Sequence, residues 1–164
     1  MSSRSQALSE QFEQANDEFM RFVESLSDDD LRRICPDERR TLAALARHVA
    51  RGCLVELRHF RAIADGEPLD VWTKAEVDRI NAESGERYAN ADRNETLEML
   101  RRTGEEVAQF VAGLTDKQLS RVGEYVDWIP EMSVDQWVER VLIGHIVGHQ
   151  AGMQVVVDLP APTT

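Results

Sequence analysis

Apolar residues recur near the start of the chain at Leu8, Phe12, Ala15, Phe19, Phe22 and Leu26, in alternating steps of four and three. That rhythm marks one face of a helix packed in an antiparallel bundle. A second stretch repeats it at Leu97, Leu100, Gly104, Val107, Val111 and Leu114. Neither stretch contains proline, so both are predicted to be uninterrupted helices.

Both end in the same phrase. Phe22-Val23-Glu24-Ser25-Leu26-Ser27-Asp28 is followed by Leu31 and Arg33, and Phe110-Val111-Ala112-Gly113-Leu114-Thr115-Asp116 by Leu119 and Arg121. Ser27 with Asp30, and Thr115 with Gln118, have the spacing of an N-cap and its third helical residue. The pattern predicts that each long helix stops and a short helical turn begins. It reads as an internal repeat of two helical hairpins.

The second helix of the first hairpin is predicted from about Thr41 to Ala64, before Gly66 and Pro68. Its counterpart starts at Ser133, with Gln136 at capping-box spacing, and runs to about Val157, where Pro160 and Pro162 stop it. Between the halves lies a connection from Asp65 to Asn94. Thr73 with Glu76 predicts a further helix there, from about Lys74 to Tyr88. So long a link lets the main helices pack out of sequence order. Strand signals are nearly absent, and 123–132 is the expected irregular segment. The fold class is all-α, a helical bundle expected to form one domain over residues 1–164.

Composition narrows the function. The formal net charge of −11 leaves no basic surplus to release counterions from nucleic acid or to dock on anionic lipid. No apolar run is long enough to span a bilayer, and 1–10 has no apolar stretch of the kind a signal peptide carries. Cys35 and Cys53 form no CxxC and are expected as small buried hydrophobes in a reducing cytoplasm.

Candidate chemistry rests on the histidines. His145 and His149 stand four apart on the last helix, so both rings leave one face. They continue its apolar stripe of Val134, Trp137, Val138, Val141 and Leu142, which runs on to Met153 and Val156. Two imidazoles in a core need partners, and a metal ion or hydrogen bonds can both supply them. If the hairpins match, His48 faces the last helix and offers a third ligand, leaving the open position of a catalytic metal. His59 lies about 16 Å further along its helix, too far to join, and is expected at the surface or a helix end. Glu56 falls on the inward side, two turns from His48. It suits a base behind the ligands, although a surface or helix-end carboxylate is the more ordinary expectation. Trp128, Trp137, Tyr125 and Phe60 are candidates to line a substrate cavity, with core packing the alternative.

The segments Thr41-Leu-Ala-Ala-Leu-Ala-Arg-His48-Val49 and His145-Ile-Val-Gly-His149-Gln-Ala-Gly152, with Trp72 and Val77-Asp78-Arg79-Ile80-Asn81 between them, resemble the DinB-like superfamily, the YfiT, DinB and mycothiol-dependent maleylpyruvate isomerase group. The resemblance spans nearly the whole chain. It implies an up-down-down-up four-helix bundle, with the extra helix in the central connection. It also implies a divalent metal (nickel, zinc or iron) on His48, His145 and His149, and homodimers. Characterised relatives pair the metal with a low-molecular-weight thiol, such as mycothiol or bacillithiol, for isomerisation or S-transfer to a small electrophile. Others resemble metal-dependent hydrolases. Two departures stand out: His145 replaces a carboxylate of the isomerase branch, and His149-Gln-Ala-Gly replaces a common HRGQ-like ending. The leading expectation is a metal-dependent enzyme acting on a small electrophile, with thiol transfer or isomerisation ranked ahead of hydrolysis; the alternatives are a non-catalytic metal-binding or stress-response bundle and an interaction bundle with core histidines.

Overall fold

A computed structural model describes residues 2–160. Four long helical runs form the bundle: α1 (Ser3–Ser25), α3 (Leu42–Asp65), α5 (Arg93–Gly113), and a last run made of α7 (Val134–Trp137), a π-helical stretch (Val138–Ile143) and α8 (Gly144–Asp158). Short helices α2 (Asp28–Arg32) and α6 (Asp116–Leu119) follow the first and third runs, and α4 (Lys74–Arg87) occupies the central connection. The helix starts are chemically specified. Ser27 Oγ accepts from Asp30 N–H, Thr73 Oγ1 from Glu76 N–H and Thr115 Oγ1 from Gln118 N–H. In each case the side chain at the third helical residue reaches back to the cap N–H, which satisfies two otherwise orphaned donors.

Ser5 and Ser9 hydroxyls donate to Ala112 and Ala108 carbonyls at 3.1 and 2.9 Å, and Asn16 Nδ2 donates to Leu100 O at 3.4 Å. As the α1 number rises the α5 number falls, so these two helices are antiparallel. Arg4 pairs with Asp135, which puts the starts of α1 and α7 at one end. Arg33, just before α3, donates to Val157 and Leu159 carbonyls at the end of α8. The senses are therefore up, down, down, up, with α1 beside α5 rather than beside α3. This is the expected topology.

The two hairpins are built alike. β1 (Ile34–Cys35) pairs antiparallel with β2 (Arg40–Thr41), and β3 (Val122–Gly123) with β4 (Met132–Ser133). These two-residue ladders are strands the periodicity did not announce. Leu42 N–H donates to Arg33 O at 2.9 Å, and Val134 N–H to Arg121 O at 3.0 Å. Each arginine then caps the other half: Arg33 at the end of α8, Arg121 on Ala64 O (2.7 Å) at the end of α3. A cation at a helix C-terminus satisfies orphan carbonyls and favours the dipole.

One core runs through the bundle, with Phe12, Phe19, Leu45, Val49, Leu100, Val107, Trp137 and Leu142 essentially inaccessible. Each such side chain contributes about 2–3 kcal/mol of burial. Val23 rather than Phe22 holds the core position near the end of α1; Phe22 packs on its margin. Gly104 leaves room for the Asn16 amide between α1 and α5, because a Cβ there would sit 2.5 Å from Asn16 Nδ2 and push that side chain aside. Cys35 and Cys53 are buried and free. No described helix is long and apolar enough to cross a membrane. The chain stop at Pro160 follows α8, and Pro162 lies outside the described residues.

Candidate metal centre

Thr41 fixes the start of α3 by accepting from Ala44 N–H at 3.1 Å. His48 lies two turns further, pointing between α3 and α8. On the opposite side the π-helical stretch precedes His145. A π turn carries one more residue than an α turn, and so sets the azimuth at which His145 and His149 enter the bundle. His48 Nε2 and His145 Nε2 are 2.9 Å apart. The three rings are mutually edge-on, with centroids 4.5–5.0 Å apart. One nitrogen from each of His48, His145 and His149 lies within 4.8 Å of the others, so the group can hold a metal ion. Tetrahedral ligands at about 2.0–2.1 Å from a metal stand about 3.3 Å from each other, within the range of these separations.

Charge and burial suit that role. Burial, reinforced by the neighbouring histidines and Arg40, lowers His48 to about 2. Burial and His149 lower His145 to about 3. Both rings are therefore neutral near pH 7, the form in which imidazole ligates. The outward nitrogens turn toward carboxylates. His149 Nδ1 is 3.1 Å from Glu38 Oε1, and His145 Nδ1 is 3.7 Å from Glu56 Oε1. Carboxylates behind ligating histidines fix ring orientation and tautomer. The hydrogen bond with His149, helped by Arg40, holds Glu38 down to about 2 against its burial. Burial pushes Glu56 up to about 7. Its Oε2 and His145 Nδ1 are both buried without a hydrogen-bond partner. Burial also pushes the Cys53 thiol up, so it remains protonated beside the site.

Gly52 makes the approach possible: a Cβ there would lie 2.8 Å from His145 Cε1. Glu38 comes from the β1–β2 turn, where Arg39 adopts a left-handed conformation, φ 54°. Such a conformation is uncommon for a residue with a side chain, and here it separates Glu38 from the strand that follows. Neither Glu38 nor Gly52 carries a periodic signal. Only the pairing of the turn with α8, and the facing of α3 and α8, bring them to the histidines.

Two expectations are corrected. Glu56 is not at the surface or a helix end but buried, 7% exposed, in mid-helix behind His145. His59 is also buried, at 8%. It stacks edge-on to Trp72 and leans on Tyr125, and its Nδ1 is 2.7 Å from Val55 O. The cover comes from distant chain: Trp72 N–H donates to Tyr125 O at 2.8 Å, and Asp127 N–H to Trp72 O at 3.0 Å. That bridge lays the central connection and the β3–β4 loop over the end of α3. His59 stays outside the triad, as its spacing requires.

A cavity of about 280 Å³ opens beside His48 and His145, with Glu56, Trp72, Tyr125 and Trp128 in its wall. Of the four aromatic candidates, Tyr125 and Trp128 line it. Phe60 and Trp137 are core residues stacked 6.0 Å apart. A second cavity, about 590 Å³, lies between the β1–β2 turn and α4, with Glu38 and Arg40 in its wall. Asn81 of α4 borders both.

No functionally curated protein matches the chain. Among solved structures it is similar to YfiT from Bacillus subtilis, with a TM-score of 0.79 and 18% identity over 95% of this chain and 87% of that one. That protein is described as a probable metal-dependent hydrolase with an unusual four-helix bundle topology. At this identity the likeness speaks for the fold. The family model of the DinB superfamily matches residues 11–152, and on that extent the chain belongs to the DinB superfamily.

Proposed function

We propose that this protein is a divalent-metal-dependent enzyme of the cytoplasm, acting on a small molecule in the cavity beside His48 and His145. One observation carries the reading: three imidazole nitrogens converge within 4.8 Å beside that cavity. His48, His145 and His149 would hold the metal. The all-nitrogen set suits zinc, nickel or iron. When bound, such a metal lowers the pKa of a water or thiol and polarises an electrophile. Glu38 holds the His149 ring, and Gly52 leaves room for His145. Glu56, which titrates near neutrality, faces the cavity with one oxygen unengaged and is suited to take a proton from the attacking group.

Water as nucleophile makes the protein a hydrolase. The buried Glu56 favours this reading, and so does the likeness to YfiT. The larger cavity at Glu38 favours a second reading, because it offers room for a co-substrate. A low-molecular-weight thiol there would make the protein an S-transferase or isomerase.

Elemental analysis of tag-free protein tests the first step. Close to one equivalent of zinc, nickel or iron is expected in the wild type, and almost none in His149→Ala. Absence of metal from the wild type, even after incubation with excess ions, would remove the proposal. Cobalt substitution then separates the readings: a small thiol shifts the visible spectrum only if thiols reach the site.

A further inference from the structure

Arg51 lies one turn past His48 on α3 and lines the smaller cavity. Its Nη1 donates to the buried Ser84 hydroxyl at 2.8 Å, and its guanidinium carbon is 4.9 Å from the Tyr88 ring centroid. The guanidinium is thus held by Ser84 of α4 and by Tyr88, which caps the end of α4. Arg47 and Arg87 approach the same ring at 5.4 Å each. None of the three makes an ion pair with a carboxylate among the described residues, in a chain with 30 Asp and Glu against 19 Lys and Arg. A half-buried guanidinium without an anion is costly when it meets no counter-charge. Here Arg51 is half-buried in the wall of a cavity, while Arg47, half-buried, and Arg87, exposed, share its aromatic neighbour Tyr88.

Part of the remaining wall is apolar: Val55, Trp72, Val77, Ile80, Val126 and Trp128. Its polar part is His48, His145, Glu56, Asn81, Ser84 and Tyr125. About 280 Å³ is below the usual range of roughly 300–1,000 Å³ for drug-sized pockets, so the occupant is small. Arg47 and Arg87 do not line the cavity, so one guanidinium meets the ligand. A single planar fork, already part-engaged by Ser84, suits the two oxygens of a carboxylate. It offers too few donors for a dianion with three oxygens.

We propose that the cavity takes a small, mainly apolar carboxylic acid, with Arg51 reading its carboxylate and the aromatic wall covering its body. This rests on the reading of the cavity as the substrate site, and it adds the substrate class. Arg47 and Arg87 contribute by keeping the local field positive beside Tyr88.

The test is calorimetry on chelator-treated, metal-free protein with 3-phenylpropanoate and its uncharged amide, 3-phenylpropanamide. The acid is expected to bind about tenfold or more tightly than the amide, the scale of one charge-assisted hydrogen bond. Arg51→Met is expected to bring acid and amide level, and Arg51→Lys to keep part of the preference. Binding should quench tryptophan fluorescence, and the quench should be lost in Trp72→Phe/Trp128→Phe, because Trp137 lies in the core. Equal binding of acid and amide by the wild type overturns the proposal. So does absence of binding by both, a preference that survives Arg51→Met, or binding without the quench. The wild-type comparison stands even if Arg51→Met does not fold. Because no metal is present, the result is separate from the metal content of His149→Ala: an acid preference in a chain that never takes metal would remove the enzyme reading alone.

Discussion

The two hairpins share a plan but divide the chemistry unequally. In each, a long helix ends in a capped turn, a two-residue ladder follows, and a second long helix begins at an N-cap residue, Thr41 or Ser133. Each arginine at the ladder caps the other hairpin's second helix. In the first hairpin α3 is a regular helix that supplies His48, then Gly52 and Glu56, eleven and fifteen residues past Thr41. The second supplies His145 and His149, twelve and sixteen past Ser133, after the π-helical stretch. The offset differs by one residue, which is what a π turn absorbs. Duplicated architecture thus provides two facing helices, and a one-residue change of register in one of them aims two imidazoles at the third.

The sharpest way to break that comparison is to add a residue past the π turn. Inserting one alanine between Ile143 and Gly144 should rotate the following residues by about 100°, and metal content should fall to almost nothing while far-ultraviolet circular dichroism stays helical. Deleting the exposed Arg140 removes the extra residue and the π turn together, so His145 and His149 should keep their azimuth and the metal. Loss of metal on that deletion would show that the π turn does not absorb the offset.

The glycines sharpen it next. Gly52→Ala places a methyl 2.8 Å from His145 Cε1, and should cost about 10–100-fold in metal affinity, as lost support of a ligand does. Gly148→Ala meets nothing within 4 Å and should stabilise the helix by about 0.5–1 kcal/mol. Metal titration and urea melts of the two variants are the measurements.

The two carboxylates behind His149 and His145 should differ in the sign of their pH dependence, read by urea unfolding of metal-free protein. Glu38 is held down to about 2, from an ordinary value of 4.5. Its contribution is present above 4.5 and fades as pH falls toward 2, so Glu38→Gln should lose stability chiefly at neutral pH. Glu56 is raised to about 7. Its burial costs stability progressively as pH rises from 4.5 to 7, and Glu56→Gln should relieve that loss, on the order of 2–3 kcal/mol at neutral pH. His48 and His145, lowered to about 2 and 3, add a loss of stability as pH falls below 6.5 in both variants. The same slope in Glu56→Gln as in wild type would contradict the buried, protonated carboxyl.

The smallest effects concern the reciprocal caps. Arg33→Ala and Arg121→Ala should each cost about 1 kcal/mol, with Arg33 loosening the end of α8 and Arg121 the end of α3. Hydrogen exchange at 154–158 and 61–65 would tell the two apart.

Much of this was legible in the chain. The link helix predicted from Lys74 to Tyr88 is observed as Lys74–Arg87, because Thr73 and Glu76 cap it locally. His145 and His149 lie on one face because four residues make little more than a turn, and matching hairpins bring His48 opposite them. The ladders at 34–41 and 122–133 escaped, since two-residue strands carry no periodicity. Glu38 escaped because nothing near it in sequence distinguishes it from the exposed acids around it.

Local chemistry accounts for the helices, their ends, the apolar faces and the pair of histidines on the last face. These depend on residues within a turn or two of each other, so the order of side chains is enough. The burial of Glu56 and His59, the reach of Glu38 to His149, the clearance at Gly52 and the gathering of arginines on Tyr88 depend on contacts between segments tens of residues apart. Burial and field are properties of what packs above a residue, and that covering layer exists only once the chain has folded.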